Sequence, residues 1–313
     1  MKTTNSLAPS SALRICCFDD VDQYRWCDEL VALEFIPLTR KISARQLIVS
    51  LPGFHLIVER TFPRLIDATL LPGSTRIGFS MCDDVAVQIN GIDVCGTTLV
   101  LAYGGDSCVA HENTPGCFAS VVFDQEIRDR GWPAPIKGFE IFTVSQPAHS
   151  RLRVLVQEII NLASQYPDDL RKPEVVEGMR ESLLAAADEA FADSVSLLGS
   201  RSEHTERFLS IVKGIDEIIF ANPANPIYSG ELARALGVSV RTIHTAVLQY
   251  RGMSLHRYLR LKRLWLVRQR LLSGNISVKA CALAYGFWHL SDFSRSYRTH
   301  FGELPSETLA LAH

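Results

Sequence analysis

The last third of this 313-residue chain carries one helix-turn-helix pattern twice, a duplication that constrains the fold more than any other feature. The first copy reads Glu231-Leu232-Ala233-Arg234-Ala235-Leu236-Gly237-Val238-Ser239, then Val240-Arg241-Thr242-Ile243-His244-Thr245-Ala246-Val247. The second reads Lys279-Ala280-Cys281-Ala282-Leu283-Ala284-Tyr285-Gly286-Phe287, then Trp288 to Tyr297. Ala233 and Gly237 match Ala282 and Gly286 at an offset of 49, and Ile243 and Val247 match Phe293 and Tyr297 at an offset of 50, so the second turn is one residue longer. Both second helices run out at a glycine, Gly252 or Gly302. The alanine lets two helices cross closely, the glycine suits a left-handed turn position, and apolar residues four apart hold the second helix onto the first. Two units in register imply two recognition helices on one chain.

Charge follows the same division. Residues 201–313 hold 15 Lys and Arg against 8 Asp and Glu, net +7, whereas residues 1–200 hold 17 against 26, net −9. The basic excess falls on the duplicated segment, the part suited to a polyanion. Ser254 is placed to cap a connecting helix that runs to Leu272 and ends at Ser273-Gly274. That helix is apolar on two sides, with Leu259, Leu264, Val267 and Leu271 on one and Tyr258, Leu261, Trp265 and Leu272 on the other. A helix wedged between two small domains needs such a double face.

Upstream the pattern changes to short β-rich runs at 33–38, 45–51, 55–62, 65–71, 75–81, 85–89, 97–103 and 117–123. Pro52-Gly53, Pro72-Gly73, Asn90-Gly91, Gly104-Gly105 and Pro115-Gly116 punctuate them, predicting a sandwich or small barrel over 21–145. Residues 1–20 read as disordered, 147–166 and 173–198 as a helical hairpin within 146–199, and 200–204 as a linker to an all-α domain at 205–313. The eight cysteines show no CxxC and no Cys/His ligand spacing, and read as reduced thiols. No apolar run approaches a membrane span and the N-terminus lacks a signal-peptide core, which predicts a cytoplasmic protein.

Over residues 205–311 the chain resembles the AraC/XylS family of transcriptional regulators. The second unit carries most of the likeness, in Ala284-Tyr285-Gly286-Phe287, Asp292-Phe293-Ser294-Arg295-Ser296-Tyr297-Arg298, Phe301-Gly302 and Pro305-Ser306. Gly237 to Ile243 and Tyr258-Leu259-Arg260 fit in the first. Gly252-Met253 and Tyr258 to Leu264 are similar, more loosely, to the subset containing ethanolamine-utilisation regulators. Val247 stands where the family usually has phenylalanine, Cys281 where it has isoleucine or valine, and Leu304 where it has a capping serine or threonine. The resemblance implies an α+β chain with an N-terminal cupin-like β-barrel, a helical hairpin that either simply packs on that domain or also forms a homodimer interface, a small-molecule effector and contact with RNA polymerase as an activator.

Recognition helices read bases in major grooves. In the first helix Arg241, Thr242, His244, Thr245 and Gln249 are the expected contacts to double-stranded DNA, because Ile243, Ala246 and Val247 face inward. In the second, Leu290, Ser291, Ser294 and Arg295 are expected at the groove, with Trp288, His289, Arg298, Thr299 and His300 suited to the sugar-phosphate backbone. Asp292 reads as a helix cap or a partner of Arg295.

Upstream, Trp26, Arg60, Arg76, Asp106, His111, Glu112 and Trp132 are the candidate effector contacts. Neither an enzyme nor a cofactor is expected. A metal-dependent cupin enzyme would need a close histidine pair, which His55, His111, Glu112 and His149 do not supply. A thiol-based redox sensor would use Cys16-Cys17, or Cys108 with Cys117.

Overall fold

The computed structural model describes residues 12–83, 87–94, 96–133, 139–197, 202–224 and 228–312. The upstream part contains strands β1 (Leu13–Phe18), β2 (Val31–Pro37), β3 (Ala44–Leu51), β4 (Phe54–Arg60), β5 (Arg64–Leu70), β6 (Thr75–Ser80), β7 (Val87–Ile89), β8 (Ile92–Val94), β9 (Thr98–Tyr103), β10 (Ser107–Glu112), β11 (Cys117–Phe123) and β12 (Glu140–Thr143). Helices α1 (Gln146–Gln165) and α2 (Pro173–Ala192) and a short strand, β13 (Val195–Ser196), follow. The eight runs read from sequence appear as β2 to β7, β9 and β11, although residues 85 and 86 of one run lie outside the described residues. β10 is buried at nearly every position, so no polar alternation marks it in sequence. The stretch read as disordered through residue 20 instead supplies β1, which pairs antiparallel with β3 from Leu13↔Val49 to Phe18↔Ala44; residues 1–11 lie outside the described residues.

The strands form two antiparallel sheets, one in the order β1-β3-β4-β11-β6-β9-β12-β13 and the other β2-β5-β10-β7-β8. Among the described residues no strand ladder joins them, so the expected barrel is an open sandwich. Alternation along the larger sheet buries both its faces. Ile48, Ile57, Val100 and Val122 meet Ile66, Ala68 and Ala110 of the smaller sheet, while Val49, Leu56, Val58 and Phe79 pack on Leu152, Val156, Leu183 and Ala187 of α1 and α2.

The downstream part is helical: α3 (Ser202–Ala221), α4 (Ser229–Ala235), α5 (Val240–Arg251), α6 (Leu255–Leu272), α7 (Val278–Ala284), α8 (Leu290–Phe301) and α9 (Pro305–Ala310). α3 begins inside the stretch read as linker, whose residues 200 and 201 lie outside the described ones. Ser239, Ser254 and Ser277 cap α5, α6 and α7 by accepting from backbone N–H groups of Thr242, Arg257 and Ala280. Gly252 and Gly302 close α5 and α8 in left-handed conformations at φ 64° and 84°.

α6 serves two cores, as its double apolar face requires. Leu264, Val267 and Leu271 pack with Cys281, Ala282, Phe293 and Tyr297 of the second unit, and Tyr258, Leu261 and Trp265 with Ile243, Ala246 and Val247 of the first. Leu259 belongs with the first core rather than the second. The first core also takes in Val21, Tyr24, Ile36, Phe62, Leu65 and Val109 of the β domain, so the two domains share an apolar interior. Among the described residues no helix is long and apolar enough to cross a membrane.

Candidate nucleic-acid interface

Helical geometry turns the duplication into two matching stripes. On α5, Arg241, His244, Thr245 and Leu248 are exposed at helix-face spacing; the offset of 50 carries them onto Ser291, Ser294, Arg295 and Arg298 of α8, of which only Ser294 is half-buried. Leu248, 60% exposed, was legible in sequence as the residue seven beyond Arg241, a stripe member suited to a thymine methyl. Gln249 lies off the stripe: its Cγ is 2.8 Å from where a Cβ on Gly91 would sit, so it packs against the β7–β8 turn of the β domain. Thr242 is half-buried, its hydroxyl 2.8 Å from the capping Ser239 Oγ. Thr245 Oγ1 donates to the Arg241 carbonyl at 3.0 Å.

On α8 the expected groove residue Leu290 packs instead against the second core. Trp288 is 62% exposed and His289 is exposed at the N-cap position. Arg295 lies 3.8 Å from Asp292, with both side chains open to solvent, so the pair holds the guanidinium only weakly. The end of the helix meets the β domain. Arg40, between β2 and β3, donates to the Thr299 carbonyl, and the His300 ring lies 3.1 Å from the Pro37 carbonyl oxygen.

The end of α5 is also held to the β domain, here by charge. Arg251 is fully buried, with Nη2 2.7 Å from Asp67 on β5 and 2.9 Å from Asp216 on α3. Burial opposes its protonation, but Tyr258, Asp67 and Asp216 outweigh that cost and hold the guanidinium charged. On α6, Arg268 Nε donates to Asp22 at 2.9 Å, and Trp265 packs on Phe35 with ring centroids 5.5 Å apart.

A cavity of about 70 Å³ lies between the sheets, lined by Trp26, Arg64, Arg76, Glu59, Glu112 and apolar side chains. Trp26, Arg76 and Glu112 of the candidate effector contacts thus converge. Trp26 Nε1 is buried without a hydrogen-bond partner, and Arg76 donates to Ser120 Oγ at 3.1 and 2.8 Å. Glu112 is paired with Arg64 at 3.0 Å, and Arg64 also holds Glu59 at 2.6 Å. Burial pushes the Glu112 carboxyl up, against the pull of Arg64. The other four candidates lie elsewhere. Arg60 is exposed, Asp106 accepts from Tyr103 N in a turn, His111 abuts Gly252 at the domain boundary, and Trp132 donates to Asp188 on α2. Arg64 and Glu59 were not legible as lining residues, because only sheet packing turns them inward.

The thiol pairs also differ from expectation. Cys16 meets Cys27, with sulfurs 3.5 Å apart, rather than its neighbour Cys17, and Cys117 interacts with Cys82 rather than Cys108. Burial, with the Cys16 hydrogen bond, pushes Cys27 up to about 12, and burial pushes Cys108 and Cys117 up to about 11. Such thiols are poor nucleophiles. Among the described residues no three His, Cys, Asp or Glu side chains are grouped to hold a metal ion.

Residues 232–310, spanning both units, match the family model described as a helix-turn-helix domain. The chain is 29% identical over 196 residues to XylDLEGF operon transcriptional activator 1 of Pseudomonas putida, an overlap of 61% of this chain and 56% of that one. It therefore spans little more than half the length of that relative. To the HTH-type transcriptional activator RhaS of Pectobacterium carotovorum it is 28% identical over 125 residues, 39% of this chain and 45% of the other. A solved structure described as a probable AraC family transcriptional regulator from Rhodopseudomonas palustris is 38% identical, covering 33% of this chain and 98% of that chain, with a TM-score of 0.31. With a duplicated unit in register, a family model lying across both copies and sequence shared with these proteins, the chain belongs to the AraC/XylS family of transcriptional regulators.

Proposed function

We propose that this chain is a sequence-specific DNA-binding transcriptional activator that addresses two successive major grooves with α5 and α8 of one protomer. The observation that carries this reading is the pair of exposed stripes at equivalent positions of the two units, tied by the single buried helix α6. Grooves on one face of a duplex recur at roughly 34 Å, so one subunit would cover what other helix-turn-helix proteins cover as a dimer. Arg241 and Arg295 suit guanine, His244 a purine edge, and Leu248 a thymine methyl. The activator names of the similar proteins support the sign of regulation, and RNA polymerase is the partner through which this chain would activate.

In this reading the β domain takes a small-molecule effector at the cavity of Trp26, Arg76 and Glu112. An effector shifts DNA affinity only if it distinguishes two arrangements of the domains. Homodimerisation would use the α1–α2 hairpin, where Leu155, Leu162, Val175 and Met179 line an apolar groove. In this reading sensing belongs to the β domain from β1 to residue 145, the hairpin to 146–199 and DNA binding to the helical domain from α3 onward.

Selection of genomic fragments with the full-length protein tests this reading. Enrichment of one motif with two boxes a helical turn apart is the expected result; salt-sensitive binding without a motif would refute base reading. On the selected sequence Arg295→Ala should cost about 1–3 kcal/mol of specific binding if it reads a base, and weaken all duplexes alike if it holds a phosphate. A thiol switch is a second reading, favoured by the Cys16–Cys27 approach and opposed by the raised thiols. Loss of DNA affinity after peroxide treatment, reversed by reductant, would select it.

A further inference from the structure

Both recognition helices end against the β domain, but the two ends are charged differently. At the end of α5 the buried Arg251 is answered by Asp67 and Asp216, the latter shared with Lys262. At the end of α8 cations gather without such an answer. Arg40 reaches across from the β2–β3 loop, its Nε and Nη2 donating to the Thr299 carbonyl at 3.1 and 2.5 Å. Its stem passes Gly302, where an added Cβ would lie 3.2 Å from Arg40 Cδ. A guanidinium has five N–H donors, so about three remain free on Arg40. Arg260 on α6 is anchored beside it by a hydrogen bond to Ser296 Oγ of α8. Arg40, Arg257, Arg260 and Arg295 line one cleft of about 650 Å³, and Arg40, Arg295 and Arg298 line the adjoining one of about 540 Å³.

Acid is scarce around this cluster. Among the described residues Arg40, Arg257, Arg260 and Arg298 have no ion-pair partner, and Arg295 has only the exposed Asp292 at 3.8 Å. Of the other carboxylates at this end, Asp22 and Glu303 are taken by Arg268, and Glu307 accepts from Leu304 N at the rim of the second cleft. Arg40 is held by a backbone carbonyl and Arg260 by a hydroxyl, neither of which neutralises a charge, so the gathered guanidinium groups repel one another unless an anion sits among them. Arg295 and Arg298 belong both to the cleft and to the exposed stripe of α8, so an extended polyanion lying along that stripe would reach the cleft.

We propose that Arg40, Arg257, Arg260 and Arg298 clamp a backbone phosphodiester of duplex DNA beside the base-reading Arg295 of α8, so that the β domain itself grips DNA through Arg40. The clamp rests on the DNA-binding reading above and assigns it a contact from outside the helical domain. It contributes affinity and register, not sequence preference, because phosphates are common to every sequence.

The test compares wild type, Arg40→Ala and Arg40→Lys, all full length, for binding to mixed-sequence duplexes of about 40 base pairs between about 50 and 200 mM salt. Losing one phosphate contact makes the slope of log affinity against log salt shallower by about 0.9. The wild-type advantage over Arg40→Ala should therefore shrink ~3-fold across that range, equally on unrelated sequences, while Arg40→Lys keeps most of the slope. An unchanged slope in Arg40→Ala, with or without weaker binding, would overturn the clamp and leave Arg40 as a docking contact to α8. Wild-type protein that binds no duplex at any salt would overturn the regulator reading together with the clamp, so the two failures are distinguishable.

Discussion

His149 is buried on α1, its ring edge-on to Phe79 at 5.9 Å, and neither ring nitrogen has a hydrogen-bond partner. Burial first, and Arg153 after it, lower its pKa, with Asp83 opposing. His111 and His300, both at the domain boundary, are lowered as well, chiefly by burial and also by neighbouring arginines, against opposing hydrogen bonds to Asn113 and the Pro37 carbonyl. A histidine whose folded pKa is depressed binds fewer protons folded than unfolded, so its stabilising effect is complete above the unfolded value of about 6.5 and is lost as pH falls through the folded value. Thermal melting should therefore shift down between about pH 7.5 and about pH 5.5. His149→Leu leaves no partner unsatisfied and should melt within about 1 kcal/mol of wild type, or above it, at the higher pH, with a shallower fall towards the lower one. Melts of His149→Leu that retain the full wild-type fall would show that His149 contributes none of it. Nothing in sequence marked His149 as buried beyond its place in an amphipathic helix.

Within the elements, the departures from the family pattern are accommodated locally. Val247 and Cys281 are fully buried in the two unit cores, and the missing capping hydroxyl at Leu304 is offset by Glu307, whose Oε2 accepts from Leu304 N at 2.5 Å. The second unit is the more vulnerable, since its small core depends on Phe293 and Tyr297 meeting Val267, Leu271, Cys281 and Ala282. Phe293→Ala should cost about 3–5 kcal/mol. Hydrogen exchange should show α7, α8 and α9 losing protection while β4 and β11 keep theirs. Loss in the β domain as well would mean that docking couples the two more tightly than their separate cores suggest. These helices were legible because their periods, caps and glycines are local. β10 and β13 were not, the first being buried on both faces and the second only two residues long.

For the whole molecule the question is what holds the helical domain to the sandwich. The shared apolar core, Arg251 with Asp67, and Arg268 with Asp22 all cross the boundary. Removing one partner of a buried pair leaves a charge undercompensated, although Asp216 would still hold Arg251. Asp67→Asn should therefore destabilise docking by about 1–3 kcal/mol and speed proteolytic cleavage between the domains without changing secondary-structure content. An unchanged cleavage rate would assign docking to the apolar contact alone. Sequence by itself determined the two units, the cations and polar side chains on their exposed faces, the connecting helix with two apolar sides and most of the strands, because periodicity and turn chemistry are properties of neighbouring residues. Only the tertiary structure decided that the sheets stay open, that Cys16 meets Cys27, that Gln249 turns to the β domain, and that Arg40 joins α8 from more than two hundred and fifty residues away. Those outcomes depend on which distant surfaces meet, and a free energy shared between remote segments leaves no pattern in either one.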